Sequence, residues 1–480
     1  MSGLASKLAS FYRRSAIASS SAMRAHSPSP SSLGTDTVNS IDRRSAIRSL
    51  ATIGAAGTVI GGISHAYAST PSAPANPVIN ITSAPYNADS TGHNDTTAAF
   101  QAAFQALRNT PGTLYVPAGY YRVLGPLTYT GGVSISLVGD GQLQSVFLVN
   151  HNQDVFTGIF TNPTSGFTAR DIGFSPCPTS GTSGGTVLNL TFPSMQTAWQ
   201  RCKIESVDFG VPTAGYSCFL AGVQTTNCWV GRFNNIRMHS NAASIISGTS
   251  AISLCGESID NHISHLRTDG IDTGINILGY SEGVRVDNCE FLTNFGILTG
   301  STPYSGNANG APINVNQLMV SNCEFNCNVY AVNGFQLWQS FFQNCHFGTK
   351  TADRGAVTLS GCNSVMFANC IFTGQFTGNN GDFFGMVVGS TPGGVKSGGI
   401  QVNSSLFTNT NYAILLAPGT RNTVGMGCTL ASYGGSTFIT SPTTVATPFG
   451  NIGFNPVIDF SGTGSNSIGF MGPTGVRENS

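Results

Sequence analysis

Four stretches of this chain end the same way. Residues 284–291 read VRVDNCEF, 318–325 read LMVSNCEF, 341–347 read FFQNCHF and 365–372 read VMFANCIF. A weaker echo, VNSSLF, ends at Phe407. The closing residues Phe291, Phe325, Phe347, Phe372 and Phe407 lie 34, 22, 25 and 35 positions apart. A short period with insertions between units is the mark of a solenoid, in which each unit packs only on its neighbours.

The residues inside a unit say which solenoid. Val284 and Val286 alternate with Arg285 and Asp287, the period of a strand. Cys289 and Phe291 flank Glu290 in a second short strand. Between them stands Asn288, a residue type that tolerates the left-handed backbone region. Each unit therefore reads strand, one-residue bend, strand, turn. Stacked at ~4.8 Å, such units make a parallel β-helix with Phe and Cys columns inside. Asn288, Asn322, Asn344 and Asn369 form an expected amide ladder.

Earlier units follow the pattern: DIGF ends at Phe174, SVDF at Phe209, NIRM at Met238 and ISHL at Leu266. A further apolar strand with a small residue follows several of them, as at 274–277, 296–298, 331–332, 355–357 and 413–415. The expectation is three strands per coil and at least nine coils. No unit carries the apolar pattern of a helix, which argues against leucine-rich and helical solenoids.

Only 9% of the 480 residues are charged, against about 25% in ordinary domains, and Gly (59) and Phe (30) are abundant. Lys and Arg equal Asp and Glu in number, and no basic cluster follows the N-terminal stretch, so no nucleic acid is expected as partner.

Residues 1–68 read as an export signal rather than as fold. Arg43-Arg44-Ser45-Ala46-Ile47-Arg48 precedes an apolar run from Leu50 to Ile63, and Ala66-Tyr67-Ala68 is a small-x-small cleavage site. The paired Arg, Ile47 and Arg48 resemble a bacterial twin-arginine signal, although Asp42 and Ala46 depart from it. The resemblance implies contact with the twin-arginine export machinery and a periplasmic or secreted protein. The apolar run is too short for a stable membrane span. Met23 is an alternative start. All 12 Cys follow the signal, and the recurring Cys289, Cys323, Cys345 and Cys370 read as buried free thiols. Residues 69–78 read as a linker.

Next come Asn94-Asp95-Thr96-Thr97, a helical pattern to Leu107 with Ala98, Phe100, Ala103 and Phe104 apolar, then LYVPAGYY at 114–121 and LVGDG at 137–141. Asp95 is the expected helix cap. This order resembles the pectate-lyase-like superfamily, in particular its rhamnogalacturonase, glycoside-hydrolase and phage-tailspike members. The resemblance implies an all-β, single-stranded, right-handed parallel β-helix whose N-terminal helix plugs the open end. It spans 79–420, with irregular last coils and a tail at 421–480.

It also implies action on a polysaccharide, often an acidic one, in a groove along one outer face. Hydrolysis needs paired carboxylates. Elimination needs a base beside the uronate, and in that case Ca²⁺ held by carboxylates is the cofactor. Eight acidic residues cluster between Glu257 and Glu324. Thr268-Asp269-Gly270-Ile271 is similar to part of a polygalacturonase motif, with Arg267 in place of its Asn and the partner motifs missing. The candidate catalytic residues are Asp269, Asp272, Glu282, Arg267 and Arg285, with Glu257 and Asp260 as further carboxylates. Candidate substrate contacts are Tyr280, His265 and Asn276, and Tyr216, Trp229, Tyr304 and Trp338 are candidate sugar-stacking aromatics. No metal-ligand motif is present. Asp208, Arg237, His265, Glu290, Glu324 and His346 are read as one outward column, either a groove for charged sugar or a charge ladder. The alternative to an enzyme is a non-catalytic glycan-binding or surface protein on the same scaffold.

Overall fold

The computed structural model describes residues 76–176, 184–194, 202–210, 218–240, 245–300, 314–351, 354–374, 383–391 and 394–408, with short stretches between 410 and 468. The signal, most of the linker, Tyr216, Tyr304 and most of the C-terminal segment lie outside the described residues. The described chain coils into a parallel β-helix. Its strands make three parallel sheets of 23, 12 and four strands. Twelve strands in the second sheet mean that twelve coils contribute to it.

The bend expected at Asn is present. Asn288, Asn322, Asn344 and Asn369 have φ of 53–54°. On each side lies a short first-sheet strand, as in Arg285–Asp287 and Glu290–Leu292. Four earlier coils run through the bend as single strands: Phe167–Pro176, Cys202–Phe209, Arg232–His239 and His262–Asp269. There the bend residue is Asp171, Ser206, Asn235 or His265, all at positive φ.

This corrects the outward column. His265 is a bend residue, and Arg267 pairs with Arg237 below and Glu290 above. The Phe position in that coil is held by Thr268, paired with Phe291. The column is Asp208, Arg237, Arg267, Glu290, Glu324, His346 and Ile371.

The core is a set of stacked columns. Phe291, Phe325, Phe347, Phe372 and Phe407 succeed one another with ring centroids 4.6–5.2 Å apart. Cys289, Cys323, Cys345 and Cys370 stack beside them, buried and unpaired as disulfides. Each sulfur sits 3.2–3.3 Å from a carbonyl two residues back. The amide ladder forms in part: Asn344 donates to Asn322 Oδ1 at 3.2 Å, whereas Asn288 donates to Asp287.

The helix spans Thr97–Ala106 and buries Phe100, Ala103 and Phe104. Phe100 packs on Tyr121 and Phe147, and Phe104 on Phe156. Ala98 is exposed. Thr96 is the cap position and makes no side-chain cap bond; Asp95 Oδ1 instead accepts from the Thr97 amide at 3.0 Å. An apolar helix face laid over the first coils shields core that an open solenoid end exposes.

Candidate functional site

Chemistry-bearing side chains are concentrated on the outward positions of the first sheet between Arg170 and Glu290. Of fourteen Lys and Arg after residue 68, six stand there: Arg170, Lys203, Arg232, Arg237, Arg267 and Arg285. The bend column divides this surface into two halves.

On one half, Lys203, Arg232, His262 and Arg285 are in-register neighbours on successive coils. His262 Nε2 contacts Asp287 Oδ1 on the next coil. Asn288 donates to the other carboxylate oxygen of Asp287 at 2.8 Å. The imidazole is thus oriented by a carboxylate that is itself held, the arrangement that activates a His for proton transfer. Arg232 Nη1 is fixed by the carbonyls of Gly231 and Asp260 at 3.0 and 3.1 Å. Arg285 is exposed. Asn234 Oδ1 accepts from Ser264 at 2.9 Å and lies 3.1 Å from His265 Nδ1. Lys203 pairs with Glu205 at 2.6 Å.

The other half holds Asp208, Arg237, His239, Arg267, Asp269 and Glu290. His239 and Asp269 are in-register neighbours. Asp208 and His239 are 2% and 7% exposed. Their facing atoms, Oδ1 and Nδ1, are 3.7 Å apart, and neither makes a hydrogen bond. Burial pushes the Asp208 carboxyl up to about 6, with Arg237 opposing. Burial also holds the His239 imidazole below its ordinary value; Arg237 adds to this and Asp269 opposes it. Arg267 reaches Glu290 at 3.3 Å, an exposed pair in place of the expected His265–Glu290 neighbours, and the like-charged steps Arg237–Arg267 and Glu290–Glu324 depart from an alternating ladder.

The residues singled out from sequence are spread over three sheets. Arg267 and Asp269 end a first-sheet strand rather than lying in a turn, and only Gly270, at φ 69°, bends the chain before the second-sheet strand Ile271–Ile277. Asp272 is buried, with Oδ2 accepting from the Gly248 amide at 2.8 Å and Oδ1 from Asn294 at 2.7 Å. Both oxygens therefore serve the fold. Asn276 is on the second sheet. Glu282 is on the third, formed by Ser258–Ile259, Ser281–Glu282, Val315–Asn316 and Leu337–Trp338, and accepts from the Tyr280 hydroxyl at 3.0 Å. Glu257 and Asp260 flank Ser258–Ile259. Trp229 is buried, and Trp338 is 39% exposed. Arg285 is brought beside His262, whose partner Asp287 sequence reasoning did not select either, whereas His265 turns to Asn234. A usable signal was an Asp immediately before the Asn bend, with a His one coil earlier.

Among the described residues, no group of three or more His, Cys, Asp or Glu is placed to hold a metal ion. Nor is any described helix long and apolar enough to cross a membrane.

No family model matches the sequence, and no curated protein does. Solved structures do resemble it. The A-module of the mannuronan C-5 epimerase AlgE4 of Azotobacter vinelandii matches with TM-score 0.54 at 16% identity, over 76% of this chain and all of that one. The AlgE6 A-module matches with TM-score 0.51 at 15% identity, over 76% and 96%. Likeness at this identity is likeness of fold: the chain is a parallel β-helix.

Proposed function

We propose that this protein binds an acidic polysaccharide along the outward face of the first sheet and cleaves it by β-elimination. The observation that carries this is the His262–Asp287 contact, flanked in register by Arg232 and Arg285. In this reading His262 takes the proton from C5 of a uronate. Asp287 stabilises the imidazolium, and the guanidinium groups hold the sugar carboxylate whose charge builds up. The C4–O bond breaks, a C4–C5 double bond forms, and the leaving oxygen gains a proton. Inversion at C5, the reaction in the names of AlgE4 and AlgE6, begins with the same proton removal.

Hydrolysis has less support, since Asp272 is committed to the fold and Glu282 lies on another sheet. The Arg43-Arg44 stretch and Ala66-Tyr67-Ala68 support export by the twin-arginine route to the periplasm or medium. The test is incubation with a panel of polyuronates and neutral polysaccharides, with and without Ca²⁺. Ultraviolet absorbance of unsaturated uronate together with new reducing ends is the expected result. Reducing ends alone would mean hydrolysis. Binding with neither signal would leave a non-catalytic glycan-binding protein.

A further inference from the structure

The outward column of Lys203, Arg232, His262 and Arg285 changes character in one step. The next three in-register positions are Met319, Phe341 and Met366. All three are partly exposed. Across the bend the other column ends in Ile371, 39% exposed, and Leu406. From Met319 to Thr408 the described first-sheet strands contain no Lys or Arg, and their one carboxylate is Glu324. The neighbouring positions Ser321, Gln343, Ala368 and Asn403 are uncharged.

A glycan lying along this column meets one Lys, two Arg and a His over four coils and apolar side chains over the next three. The coil repeat of ~4.8 Å is close to the length of one sugar in an extended chain, so successive sugars meet successive coils. A free carboxylate above Phe341 or Met366 would lose water without gaining a cation from this column, and Glu324 would repel it. A methyl ester or acyl group there would bury apolar surface instead.

Building on the function proposed above, we infer that the glycan is only partly ionised. Free uronates lie over Lys203 to Arg285, and esterified or acylated sugars over Met319, Phe341 and Met366. The specificity lies in the contrast between the two stretches.

Calorimetry of the whole protein with a matched pair of polyuronates tests this. One polymer is fully de-esterified and the other is half methyl-esterified at equal length. The expected result is about tenfold tighter binding of the half-esterified polymer, the worth of one or two buried methyl groups. Met319→Lys with Phe341→Lys reverses the order; both side chains already reach solvent, so Lys can extend without entering the core. Binding that depends on Arg232 and Arg285 but favours neither polymer, unchanged by the Lys pair, overturns this inference and spares the proposed function. Failure to bind either polymer, with the β circular-dichroism signal intact, overturns both.

Discussion

Asp208 Oδ1 and His239 Nδ1 face each other across 3.7 Å in a buried place, and neither atom has a hydrogen bond. Unpaired buried polar atoms weaken a fold.

The cost depends on pH. The Asp208 carboxyl is raised from 3.8 to about 6 in the folded protein, with burial as the main cause. Below 3.8 it is protonated in both states and costs nothing. As pH rises through 3.8 toward 6 the unfolded chain ionises first, and the native state loses roughly 3 kcal/mol. Asp208→Asn should therefore stabilise the protein at pH 7.5 and leave it unchanged near pH 3.5. Denaturation midpoints at the two pH values measure this; equal stability of the two proteins at pH 7.5 would show that the buried carboxylate is not strained.

At the exposed half of the face, His262→Gln should lower turnover on the best polyuronate by about 10²–10⁴, the usual worth of a positioned base. Asp287→Asn should cost less in binding than in turnover, because it disturbs the orientation of the imidazole and not the guanidinium groups. Initial rates and KM for the two variants check this. A loss confined to KM would reduce His262 to a binding residue.

The core column predicts a stability effect without a functional one. Phe347 lies between Phe325 and Phe372, each 5.2 Å away, with Phe342 and Phe367 at its edge. Phe347→Ala should cost about 3–5 kcal/mol and Phe347→Leu clearly less, because the coils above and below cannot close a gap fixed by their backbone bonds. Urea unfolding followed by circular dichroism measures both.

The buried thiols should be inert. Hydrogen bonding with Cys323, with a smaller effect of burial, pushes Cys345 up to about 12. Burial does the same for Cys327 and Cys362, also to about 12. A water-soluble thiol reagent at pH 8 should leave these three unmodified in the native protein and label them after denaturation, since the thiolate is the reacting form. Mass spectrometry of labelled peptides reads the result. Rapid native labelling would show that the core around these thiols opens.

The sequence by itself determined the repeat, the bend and the two inward columns. Those features are local: the alternation before Asn288, the tolerance of Asn for φ near 53°, and the small thiol beside the large ring recur within eight residues. It fails first in the coil of His262–Asp269, where His265 takes the bend and Thr268 the Phe position, so the ladder position expected at His265 belongs to Arg267. Tertiary structure alone decided which side chains of different coils meet. His262 and Asp287 are 25 residues apart, Asp208 and His239 are 31 apart, and Arg285 and Met319 are 34 apart, yet each pair spans a single step of the solenoid. Insertions of different length separate these coils, and hydrogen bonding between neighbouring coils, not spacing along the chain, sets their register. The same closure of the coil around its core put Asp269, Asn276 and Glu282, neighbours in sequence, on three different sheets.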